Sequence, residues 1–201
     1  MKKLSIDEAV EALKLGKLVV VPTETVYGLA ADALDEDAIK KLYEIKGREK
    51  KKPVMLQVAN LKMMKEFVQI VPLDALKLIE KYWPGPVSLV LKKNSKVNDI
   101  ITAGGETVGV RMPSKRETLE IIMKMGRPIA VPSANISGKV SPKTVMQVEE
   151  QLEGLDIAGI VDGGNCDYGL ESTIVDFTEE KPKILREGVI QKEEILNLFG
   201  K

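Results

Sequence analysis

Lys17-Leu18-Val19-Val20-Val21-Pro22-Thr23-Glu24-Thr25-Val26-Tyr27-Gly28-Leu29 is the stretch from which the architecture can be read. Residues 18–21 are apolar without a break, and three of them are β-branched valines, the pattern of a short strand buried on both faces. Pro22 ends that run, and two hydroxyls, a carboxylate and a phenol follow it at once. Upstream, Ser5 opens an amphipathic segment over 6–15, Glu8 stands where a capping box needs it, and Gly16 supplies the stop. A helix leading directly into a buried strand is the unit from which α/β domains are built.

The alternation continues outward. Helical spacing recurs over 35–45, ending at Gly47, and then over 61–67, 72–82, 116–125 and 144–152, with a last helix closing the chain. Strand character appears over 53–59, 87–91, 107–112, 128–131, 157–161, 173–177 and 183–186, and the Trp83-Pro84-Gly85-Pro86 cluster breaks the pattern before 87. The late strands follow one another without helices between them, so antiparallel pairs should join a parallel portion in one mixed sheet. No internal repeat, low-complexity tract or Pro/Gly/Ser-rich linker divides the sequence, which predicts a single α/β domain over residues 1–201.

Composition removes many functions. The 201 residues are 44% hydrophobic, and 30 basic residues balance 30 acidic ones, so no global field steers nucleic acid. No apolar run approaches the ~20 residues of a membrane span or the ~7–15 of a signal peptide, which predicts a cytoplasmic protein without membrane contact. There is no histidine, which excludes an imidazole base, histidine-ligated zinc and histidine phosphotransfer. Cys166 is the only cysteine, so no internal disulfide forms. Chemistry must rest on Lys, Arg, Ser, Thr, carboxylates, backbone amides and a borrowed metal. Only five of the 30 basic residues are arginines, Arg48, Arg111, Arg116, Arg127 and Arg186, which asks where a planar fork is needed.

Five polar segments follow or end strands or helices, where α/β sites form. They are Pro22 to Leu29, Lys46-Gly47-Arg48, Pro132-Ser133-Ala134-Asn135-Ile136-Ser137-Gly138, Gly169-Leu170-Glu171-Ser172-Thr173 and Leu185-Arg186-Glu187-Gly188. Taken singly, each also reads as an ordinary capped turn or, for Lys46-Gly47-Arg48, as a charge clamp at a helix C-terminus. The glycine between Lys46 and Arg48 would let an ammonium and a guanidinium converge on one polyanion. No Walker loop occurs.

Taken in order, Pro-Thr-Glu-Thr-Val-Tyr-Gly-Leu, Lys-x-Arg, Val-Arg-Met-Pro, Pro-Ser-Ala-Asn-x-Ser-Gly, Ser-Thr-Ile-Val-Asp and Leu-Arg-x-Gly resemble the YrdC-like family of threonylcarbamoyl-AMP synthases across nearly the whole chain. The resemblance implies a twisted open mixed α/β sheet with flanking helices around a positively lined cavity. It also implies a nucleotidyltransferase that joins L-threonine, bicarbonate and ATP into threonylcarbamoyl-AMP and pyrophosphate. The product would pass to a tRNA threonylcarbamoyl transferase, with tRNA an indirect partner. By motif, Lys46, Arg48, Ser133 and Asn135 would form the catalytic group on the nucleotide phosphates. Thr107, Ser141 and Arg186 would also contact ATP, while Thr23, Arg111 and Ser172 would hold threonine. Mg2+ would arrive with ATP, because no carboxylate cage is evident. Gln57 stands where many longer members carry a histidine near threonine, Glu49 where a proline is usual, and the chain resembles the short form without a further C-terminal domain. Two other readings stay open: a paralogue with another nucleotide-dependent substrate, and an RNA-binding module.

Overall fold

The computed structural model describes residues 1–200, and over them eight helices and nine strands alternate. The first helix, α1 (Ile6–Lys14), has the expected start: the Ser5 side chain accepts from the Glu8 amide and the Glu8 carboxylate accepts from the Ser5 amide. It feeds β1 (Val19–Val21), whose three valines are all buried. Then come β2 (Gly28–Asp32), α2 (Glu36–Lys46), β3 (Leu56–Gln57), α3 (Leu61–Lys65), α4 (Leu73–Tyr82) and β4 (Val87–Lys92). The chain continues through α5 (Asp99–Thr102), β5 (Thr107–Arg111), α6 (Arg116–Met125), β6 (Ile129–Ala130) and α7 (Val145–Leu152). It ends with β7 (Gly159–Ile160), β8 (Thr173–Asp176), β9 (Lys183–Arg186) and α8 (Lys192–Leu198).

The strands form one open sheet in the order β7-β1-β2-β6-β3-β5-β4-β8-β9. It is mixed, as the strand spacing predicts: β1 with β7, β3 with β5 and β4 with β8 run parallel, and the remaining neighbours are antiparallel. Alternate residues of the opening run serve opposite faces. Leu18, Val20, Leu29 and Ala31 pack into the larger core with residues of α2 and α4, whereas Val19, Val21 and Ala30 pack with α1 and α6. Burial of both faces explains why that run lacks polar alternation.

Two expectations change. The polar segment Pro22 to Leu29 reads as a turn following a strand, but Gly28 already begins β2, a fully buried strand. Gly28 is required there because a Cβ would lie 2.3 Å from Val131 Cγ1, so only glycine lets β2 approach the chain at 131–133. The segments 53–59 and 157–161 shorten to β3 and β7, their flanks bonding outside the regular ladder, as in Val54 N–H to the Ile101 carbonyl.

Candidate active site

A cavity of about 420 Å³ opens over the sheet, walled by the loop after β1, the loop after α2, β3, the end of β5, the loop after β6 and the approaches to β8 and β9. That volume suits a small ligand site. Its lining includes the cations Arg48, Lys52, Arg111 and Arg186 against a single described carboxylate, Glu171. The expected positive lining is therefore present.

Lys46 closes α2 and is only 1% exposed. Its Nζ donates to the carbonyls of Ser133 and Asn135, each at 2.5 Å. The Ser133 hydroxyl donates to Asn135 Oδ1, and the Asn135 amide donates to the carbonyls of Ile136 and Lys139 at 2.9 and 2.8 Å. Gly47, at φ 57°, turns the chain out of α2 so that Arg48 reaches the cavity, its guanidinium donating to the carbonyls of Lys52 and Pro53. The four residues thus lie together, with Arg48 and Ser133 on the wall and Lys46 and Asn135 behind it. Burial without a carboxylate partner, reinforced by the nearby Arg48 charge, pulls the Lys46 ammonium down to about 8.

At the other end, Thr23 caps its own turn, accepting from the amides of Thr25 and Val26 and donating to the Val26 carbonyl at 2.7 Å. It lines the cavity, but its proton is committed inside the turn. Arg111, ending β5, donates to Glu24, to the Thr25 hydroxyl and to the Gly85 carbonyl. Ser172 shares a hydrogen bond with Ser88 at 2.8 Å. Arg186 donates to the Ser172 carbonyl and hydroxyl and to Glu171, whose other oxygen accepts from Ser141 at 2.8 Å. Desolvation lowers the Arg186 pKa, with Glu171 opposing and the Arg111 charge assisting. Ser141 therefore reaches the wall through Glu171. Thr107 does not come to the cavity: it starts β5 opposite Lys92 and is absent from the lining.

Comparison with known proteins decides the family. The Sua5/YciO/YrdC family model, described as "Telomere recombination", matches residues 11–188. The chain belongs to this Sua5/YciO/YrdC family. It is 45% identical over 188 residues to the threonylcarbamoyl-AMP synthase of Pyrococcus abyssi, covering 94% of this chain and 55% of that protein. It is 33% identical to the threonylcarbamoyl-AMP synthase of Vibrio vulnificus, covering 92% of this chain and 98% of that protein. The crystal structure of P. abyssi Sua5 complexed with L-threonine superposes with a TM-score of 0.94 at 45% identity, over 97% of this chain and 57% of that one. The chain thus spans about half the length of the P. abyssi relative.

Within this Sua5/YciO/YrdC site, Glu24, Thr25, Ser88 and Glu171 were given no role by sequence reasoning. Glu24 and Glu171 were visible inside the quoted motifs, but no spacing rule pairs them with arginines 87 and 15 residues away. Gln57 is different. It sits in β3 in register with Arg111 and lines the cavity, and at 4% exposure its Oε1 has no partner among the described residues. An unsatisfied buried acceptor costs ~1–3 kcal/mol, so Gln57→Leu should raise the unfolding free energy by about that much, seen as a higher urea midpoint at unchanged m. An unchanged or lower midpoint would show that the amide is satisfied after all.

Proposed function

We propose that this chain makes L-threonylcarbamoyladenylate from L-threonine, bicarbonate and ATP, releasing pyrophosphate. The observation that carries the reading is one cavity lined by both a buried arginine fork, Arg111, and an Arg48–Ser133 wall, with Arg186 on the same lining bonded to Ser172 and Glu171. The names of the relatives and the L-threonine held by the P. abyssi structure support the same assignment.

The chemistry asks for no protein nucleophile. The amine of threonine adds to the bicarbonate carbon, a C–N bond forms, and water leaves, giving a carbamate. A carbamate oxygen then attacks the α-phosphorus of ATP. The new O–P bond forms as the bond from that phosphorus to the β-bridging oxygen breaks, its electron pair leaving with pyrophosphate. Holding three anionic reactants in line and stabilising charge on the equatorial oxygens is work for fixed cations and donors. Arg111 orients the threonine carboxylate, with Ser172 and the Thr23 turn beside it. Arg48 and Ser133 face the phosphates, Lys46 and Asn135 hold that wall, and Arg186, bonded to Ser172 and Glu171, adds its charge to the lining.

Glu171 is the only carboxylate among the described lining residues, and Ser141 and Arg186 occupy both its oxygens. A donor set of that kind fits Mg2+ that enters on ATP, neutralising phosphate charge with phosphate and water oxygens as its ligands. No helix among the described residues is long and apolar enough to cross a membrane. A single domain acting in the cytoplasm and passing its product to a tRNA-modifying transferase completes the reading. Incubation with ATP, Mg2+, bicarbonate and labelled threonine should yield labelled adenylate and equimolar pyrophosphate. Pyrophosphate release that ignores threonine would overturn it in favour of another acceptor.

A further inference from the structure

Glu24 is a buried carboxylate to which the reaction above gives no part. It is 1% exposed and lies outside the cavity lining, with Arg111 between it and the site. One of its oxygens accepts from Arg111 Nη2 at 2.6 Å, and the other accepts from the backbone N–H of Ser114 at 3.1 Å. The carboxylate therefore ties the loop after β1 to the end of β5 and to the turn that follows it.

The hydrogen-bond inventory of Arg111 gives this pair a purpose. A guanidinium carries five N–H groups in a fixed plane. Three are taken by the protein: Nε on the Gly85 carbonyl at 3.2 Å, one Nη1 proton on the Thr25 hydroxyl at 2.9 Å, and one Nη2 proton on Glu24. One proton remains on each terminal nitrogen, the complement that a ligand carboxylate takes with its two oxygens. Arg111 itself is only 6% exposed, and a guanidinium held that deeply needs a compensating anion to offset its desolvation and hold it in place.

We infer that Glu24 is the positioning residue of the amino-acid end: it fixes the plane of the Arg111 fork and so sets the preference for substrates bearing a free α-carboxylate. The inference rests on the assignment of Arg111 to the threonine carboxylate made above. A buried pair that only held the fold would affect stability, or both substrates alike. A positioning residue affects one substrate, and within it one functional group.

The test is Glu24→Gln in the full chain, which keeps the size and one acceptor but removes the charge. Threonine KM should rise about tenfold or more, while ATP KM stays within about twofold. The preference for L-threonine over L-threoninamide, which lacks the carboxylate, should shrink by the same factor as threonine KM rises. A folded Glu24→Gln protein with wild-type threonine KM overturns the inference, as does a joint rise of both KM values. If Glu24→Gln does not fold, Glu24→Asp keeps the charge but withdraws the carboxylate by one methylene, and it is held to the same two criteria. A wild-type chain that releases no pyrophosphate with threonine overturns the functional reading itself. Activity in the wild type with no selective change in the variants overturns only the part given to Glu24.

Discussion

Pyrophosphate release should fall as the pH rises above about 8, and Lys46→Met should lose about 10²-fold or more of it at every pH. Burial is the first cause of the lowered pKa, and the neighbouring Arg48 charge adds to it. The ammonium holds the carbonyls of Ser133 and Asn135 and adds its charge to the wall that Arg48 faces, so its deprotonation weakens both functions. The profile of kcat/KM for ATP reports the free protein and should show this limb near 8, whereas bound triphosphate favours the ammonium and moves the limb of kcat upward. Stability follows the opposite course. In the unfolded chain the lysine titrates near 10.5, so between about 8 and 10.5 the unfolded state binds more protons and unfolding becomes harder as pH rises. The burial penalty is fully present below 8, and its relief is worth about 3 kcal/mol. Urea melts of wild type and Lys46→Met at both ends of that window isolate this lysine. A flat rate profile to pH 10 would remove the ammonium from the reaction.

If Arg111 pairs with the threonine carboxylate as proposed, Arg111→Ala should raise the threonine KM about 10²- to 10³-fold, through loss of a buried charge-assisted pair. It should also cost about 3–5 kcal/mol of stability, since Glu24 would be left buried without its cation. Arg111→Lys separates the two effects: the charge remains beside Glu24, but the fork does not, so threonine binding weakens with a smaller loss of stability. Steady-state kinetics in both substrates together with thermal melts check the pair. A change confined to ATP would move Arg111 to the nucleotide end.

Most of the fold was legible because its signals are local. The capping box at Ser5 and Glu8 and the glycine stops at Gly16 and Gly47 marked helix ends that the structure keeps. β2 was missed because Gly28-Leu29-Ala30-Ala31-Asp32 carries no β-branched residue. Its small side chains suit a central strand crowded from both sides, which propensity does not register. The single turn of α5 was likewise too short to show a period. At the site, the cations were legible as residue types, but their anions were not. Glu24 and Glu171 acquire meaning only when the sheet order brings them to Arg111 and Arg186. That Lys46 sits behind the wall rather than on it is equally a product of tertiary packing, since a lysine at a helix C-terminus ordinarily stays in water.

The bond from Lys46 to Ser133 spans 87 positions, and the cavity draws its walls from Thr23 at one extreme to Arg186 at the other. Closing such long loops comes late, after local helices and hairpins have formed. During synthesis the cavity can assemble only once the β9 segment has left the ribosome. Nascent chains should therefore be blind to ATP until the segment through Arg186 has emerged, and a bound nucleotide would favour only chains extended beyond it.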